Sequence, residues 1–205
     1  MQNVIAYIDG FNLYYGLKTK GWRRFYWLNV QALAQHFLKP GQTLTQTKYF
    51  TTVMAEPPDK HQRQAVFLDA LQTLPNFNIY YGHFLVDKVT CRHCGHTYDT
   101  YHEKMTDVNM AVELMTDAFQ DVFDVALLIS ADSDLVGPVK SIRRLFPNKK
   151  VVVVFPPDRY SRALQQAASG QKFINGAELS KSLFSDQVVK ANGVVLKRPA
   201  EWKSA

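Results

Sequence analysis

The strongest indication of the fold is the stretch Val125-Ala126-Leu127-Leu128-Ile129-Ser130-Ala131-Asp132-Ser133-Asp134. Its first five residues are apolar, and a short apolar run of this kind is typical of a buried strand. Two aspartates follow where that strand ends. Near the N-terminus, Val4–Ile8 is a second such run, and the Asp9-Gly10 pair after it indicates a turn. The sequence therefore predicts two core strands that each end in carboxylates.

Helical and strand patterns alternate over the rest of the chain. Apolar spacing predicts helices over 29–38, 57–74, 106–119 (with Thr106 as its cap), 135–146 and 159–168, and strands over 47–53, 77–86 and 150–155. Such alternation is typical of a mostly parallel sheet with helices on both faces. We therefore predict a three-layer α/β fold in one domain over residues 1–180. An insertion that contains the cysteines is expected at about 87–102, and a loosely attached C-terminal tail at 181–205.

Composition narrows the class of protein. The chain has 205 residues, 46% of them hydrophobic, which is enough for a sizeable core. It contains no run of 18 apolar residues and does not begin with a charged and then apolar leader, so we expect neither a membrane span nor a signal peptide. Only two cysteines are present, which is typical of a reducing compartment, and we predict a cytoplasmic protein. The net charge of +6 suits a polyanion partner, although ordinary soluble proteins also carry it.

Carboxylates from distant parts of the sequence are expected to converge. In open α/β sheets the ligand site lies at the carboxyl ends of the strands, where Asp9, Asp132 and Asp134 stand. Three like charges repel one another unless a cation lies among them, and oxygen ligands without histidine favour Mg²⁺ or Mn²⁺. Asp107, in the first turn of the predicted 106–119 helix, is a fourth candidate. Each aspartate alone would also suit a turn, a cap or a helix dipole.

Three blocks of sequence resemble the NYN domain, in the LabA-like branch of the PIN-like nuclease superfamily. They are Tyr7-Ile8-Asp9-Gly10-Phe11-Asn12-Leu13, then Glu103-Lys104-Met105-Thr106-Asp107-Val108, then Leu128-Ile129-Ser130-Ala131-Asp132-Ser133-Asp134-Leu135. The blocks occur in the family's order, and the resemblance covers about residues 3–180. It implies a PIN-like, Rossmann-like α/β/α sandwich and a ribonuclease that depends on Mg²⁺ or Mn²⁺.

The resemblance also implies roles for individual residues. The family's acidic positions fall on four aspartates, which would be catalytic and would bind the metal: Asp9, Asp107, Asp132 and Asp134. The polar positions of the first and third blocks fall on Asn12 and Ser130, which we expect to help bind the substrate or orient a metal ligand. Relatives carry a further aspartate after the last helix, whereas residues 168–173 contain no acid, which leaves the number of metal ions open.

Basic residues near these blocks are further candidates for substrate binding. Lys104 would contact a phosphate oxygen, or it is a solvated lysine at a helix start. Arg159 follows a predicted strand end and is a candidate for the same role. Residues 18–27 mix four basic with four aromatic side chains. That mixture suits a single-stranded nucleic acid, and it equally suits a partly buried aromatic cluster with a solvated basic edge.

The segment Cys91-Arg92-His93-Cys94 is half of a structural zinc site. Such a site needs four ligands, and the chain has only two thiols. His96 and His102 would complete the site, or a second copy would contribute its own cysteine pair and form a homodimer. A metal-free hairpin tip is the other interpretation, so structural Zn²⁺ stays open.

The leading hypothesis is a metal-dependent ribonuclease that acts on RNA, with DNA as an alternative substrate. The second is an RNA-binding regulatory protein with the same fold and little turnover. For such a protein we would expect one or more of the four aspartates to be replaced, whereas all four are present. A phosphohydrolase for small substrates is disfavoured, because its D-x-D motif would need an acid two residues after Asp9, where Phe11 stands.

Overall fold

The computed structural model describes residues 1–53 and 57–203, with the backbone alone for residues 101–103. The strands are β1 (Gln2–Asp9), β2 (Gln42–Thr51), β3 (Phe77–Tyr81), β4 (His83–Thr90), β5 (Thr97–Lys104), β6 (Val125–Ile129), β7 (Lys150–Phe155), β8 (Gly170–Phe173), β9 (Gln187–Val189) and β10 (Val195–Lys197). The helices are α1 (Gly10–Thr19), α2 (Val30–Gln35), α3 (Pro58–Leu71), α4 (Thr106–Phe119), α5 (Val136–Leu145), α6 (Arg162–Ala167) and α7 (Gly176–Lys181).

A six-stranded sheet forms the middle layer, with the order β3-β2-β1-β6-β7-β8 and parallel pairing throughout. The chain builds outward from β1 to β3 and then returns to the other side of β1. The strand order therefore reverses between β1 and β6, which is where open sheets of this kind bind ligands. This architecture confirms the predicted three-layer α/β fold.

Two hydrophobic cores cover the two faces of the sheet. Side chains along β1 alternate, so that Val4, Ala6 and Ile8 pack against α1, α2 and α3, while Ile5 and Tyr7 pack against α4, α5 and α6. Both faces of β1 and β6 are buried, which explains their uninterrupted apolar runs.

Within the described residues, no helix combines the length and the apolar character needed to cross a membrane.

The predicted turn at Asp9-Gly10 is wrong, because α1 begins at Gly10 without an intervening loop. Gly10 is needed for a close approach rather than for a turn. A Cβ atom there would lie 2.5 Å from the Tyr49 hydroxyl and 2.9 Å from the Phe50 carbonyl oxygen. The absence of a side chain lets β2 pack directly under the start of α1, and it fixes Asp9 at the junction of strand and helix.

The strand predicted over 77–86 is two strands. β3 ends at Tyr81, and β4 leaves the sheet to pair with β5 in an antiparallel hairpin. The side chains of β4 are mostly exposed, so burial against a helix layer does not hold this strand in the sheet. The prediction that Thr106 caps the next helix is also wrong by one residue, since the N-cap position is Met105, with φ of 75°, and Thr106 is the first helical residue.

The expectation of a loosely attached C-terminal tail is wrong for residues 187–202. Trp202 lies 6.3 Å from Trp27 and 6.2 Å from Phe67 between ring centroids, and Leu196 is buried beside them. Lys190 forms an ion pair with Asp69 of α3 at 3.0 Å. The tail therefore packs on α3, and residues 204–205 of the predicted tail lie outside the described residues. The domain boundary at residue 180 stays a prediction.

Candidate active site

Asp9 is the centre of the candidate site. It is the last residue of β1 and the N-cap of α1, and only 3% of its surface is exposed. One carboxylate oxygen accepts the Asn12 backbone N–H at 2.8 Å, and the other accepts the Ser130 hydroxyl at 2.9 Å. Since both oxygens are held, the position and orientation of this carboxylate are fixed.

Hydrogen bonds join the ends of β1 and β6 into one unit. The Asn12 side-chain oxygen accepts the Ala131 N–H at 3.2 Å, and the Ser130 hydroxyl oxygen accepts the Asp132 N–H at 3.0 Å. Ser130 is fully buried, so its contacts in this structure position Asp9 and Asp132 rather than reach solvent. Asn12 likewise links α1 to the loop after β6 through its side chain and fixes Asp9 through its backbone.

The aspartates perturb one another electrostatically. The pKa of Asp9 is raised from 3.8 to about 7, and burial is the largest cause. The Asn12 amide opposes the shift, whereas the negative charges of Asp107 and then of Asp132 contribute to it. Asp107 lies in the first turn of α4, and Asp132 is the N-cap of the short 3₁₀ helix at 133–135. Asp107 and Asp132 thus lie near enough to Asp9 to perturb it electrostatically, and of these Asp132 is at a strand end and Asp107 on a helix.

Asp134 lies closer to the surface of the protein than Asp9 does. Its backbone N–H donates to the Asp132 carboxylate at 2.8 Å, and its side chain is exposed. Asp132 thereby caps the N-terminus of the 3₁₀ helix at 133–135, which is the structural role that the sequence also allowed for it. Asp134 is therefore a member of the loop rather than of the buried centre, and its predicted catalytic role is untested.

The donor set suits a hard cation in its chemistry. All four candidate ligands are carboxylates, which are the groups that Mg²⁺ and Mn²⁺ prefer. A cation would stabilise the ionised form of Asp9, which burial and two neighbouring charges disfavour. In the described part of the chain, no group of three or more His, Cys, Asp or Glu side chains is close enough to hold an ion.

The two predicted phosphate contacts lie on the outside of the site. Lys104 is exposed at the end of β5, two residues before α4. Arg159 follows β7, and its guanidinium carbon lies 5.9 Å from the centre of the Tyr15 ring on α1. Both cations flank the elements that carry the aspartates.

A cavity of about 910 Å³ opens beside Asp9, between α1, α3 and the C-terminal segment. Arg63 in this cavity is ion-paired with Asp59 at 2.6 Å and Glu201 at 3.0 Å. Among the described residues, Arg23 and Lys60 form no ion pair. The lining combines aromatic and charged side chains: Phe11, Tyr14, Tyr26, Phe67, Trp202, Lys18, Arg23, Lys60, Arg63, Asp59 and Glu201.

Two tyrosines place hydroxyl groups within this cavity. The rings of Tyr14 and Tyr26 lie 5.0 Å apart, and their hydroxyls are hydrogen-bonded to each other. Burial raises the pKa of both, to about 12 for Tyr26, and the Arg23 and Arg63 cations oppose the shift at Tyr14. Both hydroxyls therefore stay protonated near neutral pH, beside a guanidinium that is available to an anion.

Residues 3–179 match the NYN domain. The chain belongs to the NYN domain family. NYN domains are a PIN-like nuclease family, as the resemblance implied. The more specific placement in the LabA-like branch stays a prediction.

Two further proteins resemble this NYN domain. The 6-hydroxy-3-succinoylpyridine 3-monooxygenase HspA of Pseudomonas putida (strain DSM 28022 / S16) is 24% identical over an alignment of 213 positions. The match covers 85% of this chain and 67% of that protein. The crystal structure of a protein of unknown function from Vibrio parahaemolyticus RIMD 2210633 has a TM-score of 0.56 and 18% identity, over 89% of this chain and 96% of the other. The second likeness shows a shared fold alone.

Sequence reasoning missed part of the cavity of this NYN domain. It singled out the basic and aromatic residues 18–27, and the structure divides them: Trp27 is buried in the core, while Arg23, Tyr26 and the buried Phe25 line the cavity. Arg63 and Trp202 come from α3 and the C-terminal segment, and neither stands in a motif. The tertiary packing of α3 and of the tail brings them to Tyr14.

The cysteine pair lies apart from the aspartates. Cys91 and Cys94 are free thiols at the tip of the β4–β5 hairpin. Seven rungs of the ladder separate the tip from the His83–Lys104 pair at its base, a length of about 24 Å. The pair belongs to a second candidate site.

Proposed function

We propose that this NYN domain is a ribonuclease that hydrolyses RNA phosphodiester bonds beside Asp9, Asp107 and Asp132, with Mg²⁺ or Mn²⁺ as its metal ion. The observation that carries the proposal is Asp9 itself. It is a buried carboxylate with both oxygens held, it faces two further acids, and it lies at the switch in strand order of a nuclease-family fold.

The chain supplies carboxylates that would hold the metal, namely Asp9, Asp107 and Asp132, with Asp134 at the outer side. When bound, Mg²⁺ or Mn²⁺ supplies positive charge that stabilises the negative charge which develops on the phosphate in the transition state. Asn12 and Ser130 act before any chemistry, because their hydrogen bonds hold Asp9 in one orientation. Because Asp9 is already oriented, it does not have to rearrange during the reaction, and this lowers the activation free energy.

The proposed reaction is attack by water in line with the leaving 3′-oxygen. The water oxygen forms a bond to phosphorus, the bond from phosphorus to the 3′-oxygen breaks, and the 3′-oxygen gains a proton. Asp107 positions the attacking water and accepts its proton, for which a carboxylate within reach is suited. Lys104 and Arg159 contact the non-bridging phosphate oxygens. The products carry a 5′-phosphate and a 3′-hydroxyl.

The neighbouring cavity would bind a nucleotide next to the bond that is cleaved. The Tyr14 and Tyr26 rings offer faces for a base, and Arg23 and Lys60 offer charge for a phosphate. Base stacking on aromatic side chains is tolerant of sequence and is typical of single-stranded substrates. We therefore propose unpaired RNA as the substrate class.

The test is cleavage of a labelled single-stranded RNA, and of the matching DNA, with added Mg²⁺ or Mn²⁺. Asp9→Asn and Asp132→Asn remove charge at the centre, and each is expected to lower the initial rate by about 10²–10³-fold. Asp158→Asn is the matched control, since Asp158 also follows a strand end but is ion-paired with Lys20 at 3.2 Å. Its rate should stay within about twofold of wild type. If no variant and no wild-type protein cleaves while RNA binds, the alternative of an RNA-binding regulatory protein replaces the proposal.

The cavity and the monooxygenase relative favour a second candidate, action on a small aromatic acid. The relative is named for a pyridine substrate. The cavity offers aromatic faces together with Arg23, which forms no ion pair among the described residues. Calorimetric titration with 6-hydroxy-3-succinoylpyridine and with an RNA pentanucleotide separates the two candidates. The ribonuclease proposal predicts binding of the RNA alone, weakened by Arg23→Ala. Binding of the pyridine alone would favour the second candidate.

A further inference from the structure

The tip of the β4–β5 hairpin has a backbone arrangement suited to a metal ion. The Cys91 N–H donates to the His96 carbonyl oxygen at 2.8 Å, and the Gly95 N–H donates to the Cys91 carbonyl oxygen at 2.9 Å. Gly95 has a φ of 71°, a conformation that glycine adopts without strain. The turn therefore folds back tightly and places Cys94 beside Cys91.

The two cysteines stand three residues apart in this turn, and both are free thiols. Cys94 is exposed and Cys91 is partly exposed. Because the thiolate is the form of cysteine that binds metals, the turn presents two potential sulfur ligands at the tip of a projecting hairpin.

One chain does not complete the ligand set. Among the described side chains, no group of three or more metal-binding residues is close enough to hold an ion. His102, which the sequence offered as a ligand, has a side chain outside the described residues. Its backbone pairs with Leu85, five rungs from the Thr90–Thr97 pair at the tip, or about 17 Å away. Zinc–nitrogen bonds are about 2.0 Å long, so His102 is too far from the tip to complete the site.

The hairpin also exposes apolar surface directly below the tip. Val89 and Tyr98 form a cross-strand pair one rung from Thr90–Thr97, and they are 38% and 48% exposed. Leu85, four residues before Val89 and on the same face of β4, extends this surface toward the hairpin base, and Val86 is exposed on the opposite face. A two-stranded hairpin with both faces in water is only marginally stable by itself. The apolar pair and the incomplete ligand set thus lie at the same end of the same element.

We propose that two copies of this chain share one Zn²⁺ at their hairpin tips, each contributing Cys91 and Cys94. Four thiolates around one ion form the tetrahedral arrangement of structural zinc sites. A twofold axis through the ion would bring identical surfaces together, as in most homodimers, and would pack Val89 and Tyr98 against their counterparts. Arg92 of each chain is exposed at the tip and opposes the net negative charge of four thiolates with one Zn²⁺.

The site is chemically distinct from the aspartate cluster. Soft thiolates select Zn²⁺, whereas the carboxylates near Asp9 suit Mg²⁺ or Mn²⁺. Binding converts four thiols into thiolates and releases their protons, up to four per ion, with no change in oxidation state. The proposal is independent of the ribonuclease activity, because the cysteines take no part in the reaction proposed above.

The test measures zinc content and mass on the full chain, purified with added Zn²⁺ and a phosphine reductant. We expect half a zinc ion per chain by mass spectrometry and a particle of twice 23.4 kDa by light scattering. A chelator should return the particle to 23.4 kDa. Cobalt in place of zinc should give the absorption of four sulfur ligands, and zinc binding at low buffer strength should release protons.

Variants separate the proposal from its alternatives. Cys91→Ser and Cys94→Ser should each abolish zinc retention and dimer formation, while circular dichroism shows a folded body. His96→Ala should retain both properties. One zinc ion per monomer, loss of zinc in His96→Ala, a zinc-free monomer, or a Cys91–Cys94 disulfide that persists in reductant would each overturn the shared site.

Discussion

The aspartate cluster and the hairpin tip are both metal-type motifs, but they lie in opposite surroundings. Asp9 is buried where two core strands end, and hydrogen bonds from α1 and from the loop after β6 hold both of its oxygens. Cys91 and Cys94 lie on an isolated two-stranded hairpin, with one sulfur exposed. The core can gather side chains from distant segments of one chain, whereas in the proposed zinc site the projecting hairpin contributes one cysteine pair and a second molecule contributes the other. The location of a motif in the fold thus decides how its site is completed.

The largest contrast between the two regions is expected in stability. Lys48 on β2 is buried and forms ion pairs with Asp117 at 2.6 Å and Glu113 at 2.7 Å. Burial alone would lower the pKa of Lys48, yet its hydrogen bonds to these acids raise it above the usual value, so the lysine stays charged. Lys48→Met leaves Asp117 buried without its cation and should lower the free energy of unfolding by about 3–5 kcal/mol.

Urea denaturation measures this effect, with Lys140→Met on the exposed face of α5 as the matched control. The control and Cys91→Ser should each change the free energy of unfolding by less than about 0.5 kcal/mol. A Lys48→Met variant as stable as the control would mean that the buried ion pairs do not support α4, and hence do not hold Asp107 in place.

The pH dependence of stability sharpens the same contrast. Since the folded state raises the pKa of Asp9 from 3.8 to about 7, ionisation of Asp9 progressively destabilises the fold as pH rises between these values. Asp9→Asn removes this cost, so it should stabilise the protein at pH 8 by up to about 4 kcal/mol relative to its effect at pH 4. Thermal melts of wild type and variant over this range test the prediction. A difference in melting temperature that is independent of pH would contradict the raised pKa.

The sequence was sufficient for the sheet and for the expectation that Asp9 and Asp132 lie at one edge of it. Val4–Ile8 and Val125–Ile129 are buried on both faces, so their apolar runs carry a strong local signal. The aspartates follow from chain direction, because carboxyl ends of parallel strands share one edge. The hydrogen bonds from Ser130 to Asp9 and from Ala131 to Asn12 required the folded geometry, since each joins residues more than 100 positions apart.

Other features had no local signal. The C-terminal segment is held by Trp202 against Trp27 and Phe67, which is a contact between distant aromatic residues without periodicity. The β4–β5 hairpin is exposed on both faces, so its strands lack the alternation that marks a half-buried sheet. The cavity depends on the packing of the C-terminal segment beside α1 and α3, and hence no spacing rule could find it.

Ser130 provides a smaller test of the buried centre. Ser130→Ala removes one of the two donors to Asp9 but keeps its charge. We expect the cleavage rate to fall by about tenfold, which corresponds to roughly 1.4 kcal/mol, with the substrate KM little changed. Ser133→Ala, on the exposed loop nearby, is the matched control. An equal loss in both variants would show that the loop, and not the hydrogen bond to Asp9, is responsible.

The smallest effect is expected at the hairpin. Gly95→Ala forces a side chain into a positive φ and should cost about 1 kcal/mol, confined to the tip. The main unfolding transition should not move, whereas zinc affinity should fall by about fivefold. Chelator competition measures the affinity. A shift of the main transition would indicate that the hairpin folds as part of the core.

The most direct measurement of the central claim is the chemistry of the RNA product. The protein is incubated in ¹⁸O-labelled water with Mg²⁺ and an RNA that carries a 2′-deoxy nucleotide at the cleavage position, and the products are weighed by mass spectrometry. The account predicts cleavage in spite of the missing 2′-hydroxyl, with one ¹⁸O atom in a new 5′-phosphate and none in the 3′-hydroxyl. Cyclic 2′,3′-phosphate ends on unmodified RNA, with no cleavage of the deoxy substrate, would contradict it.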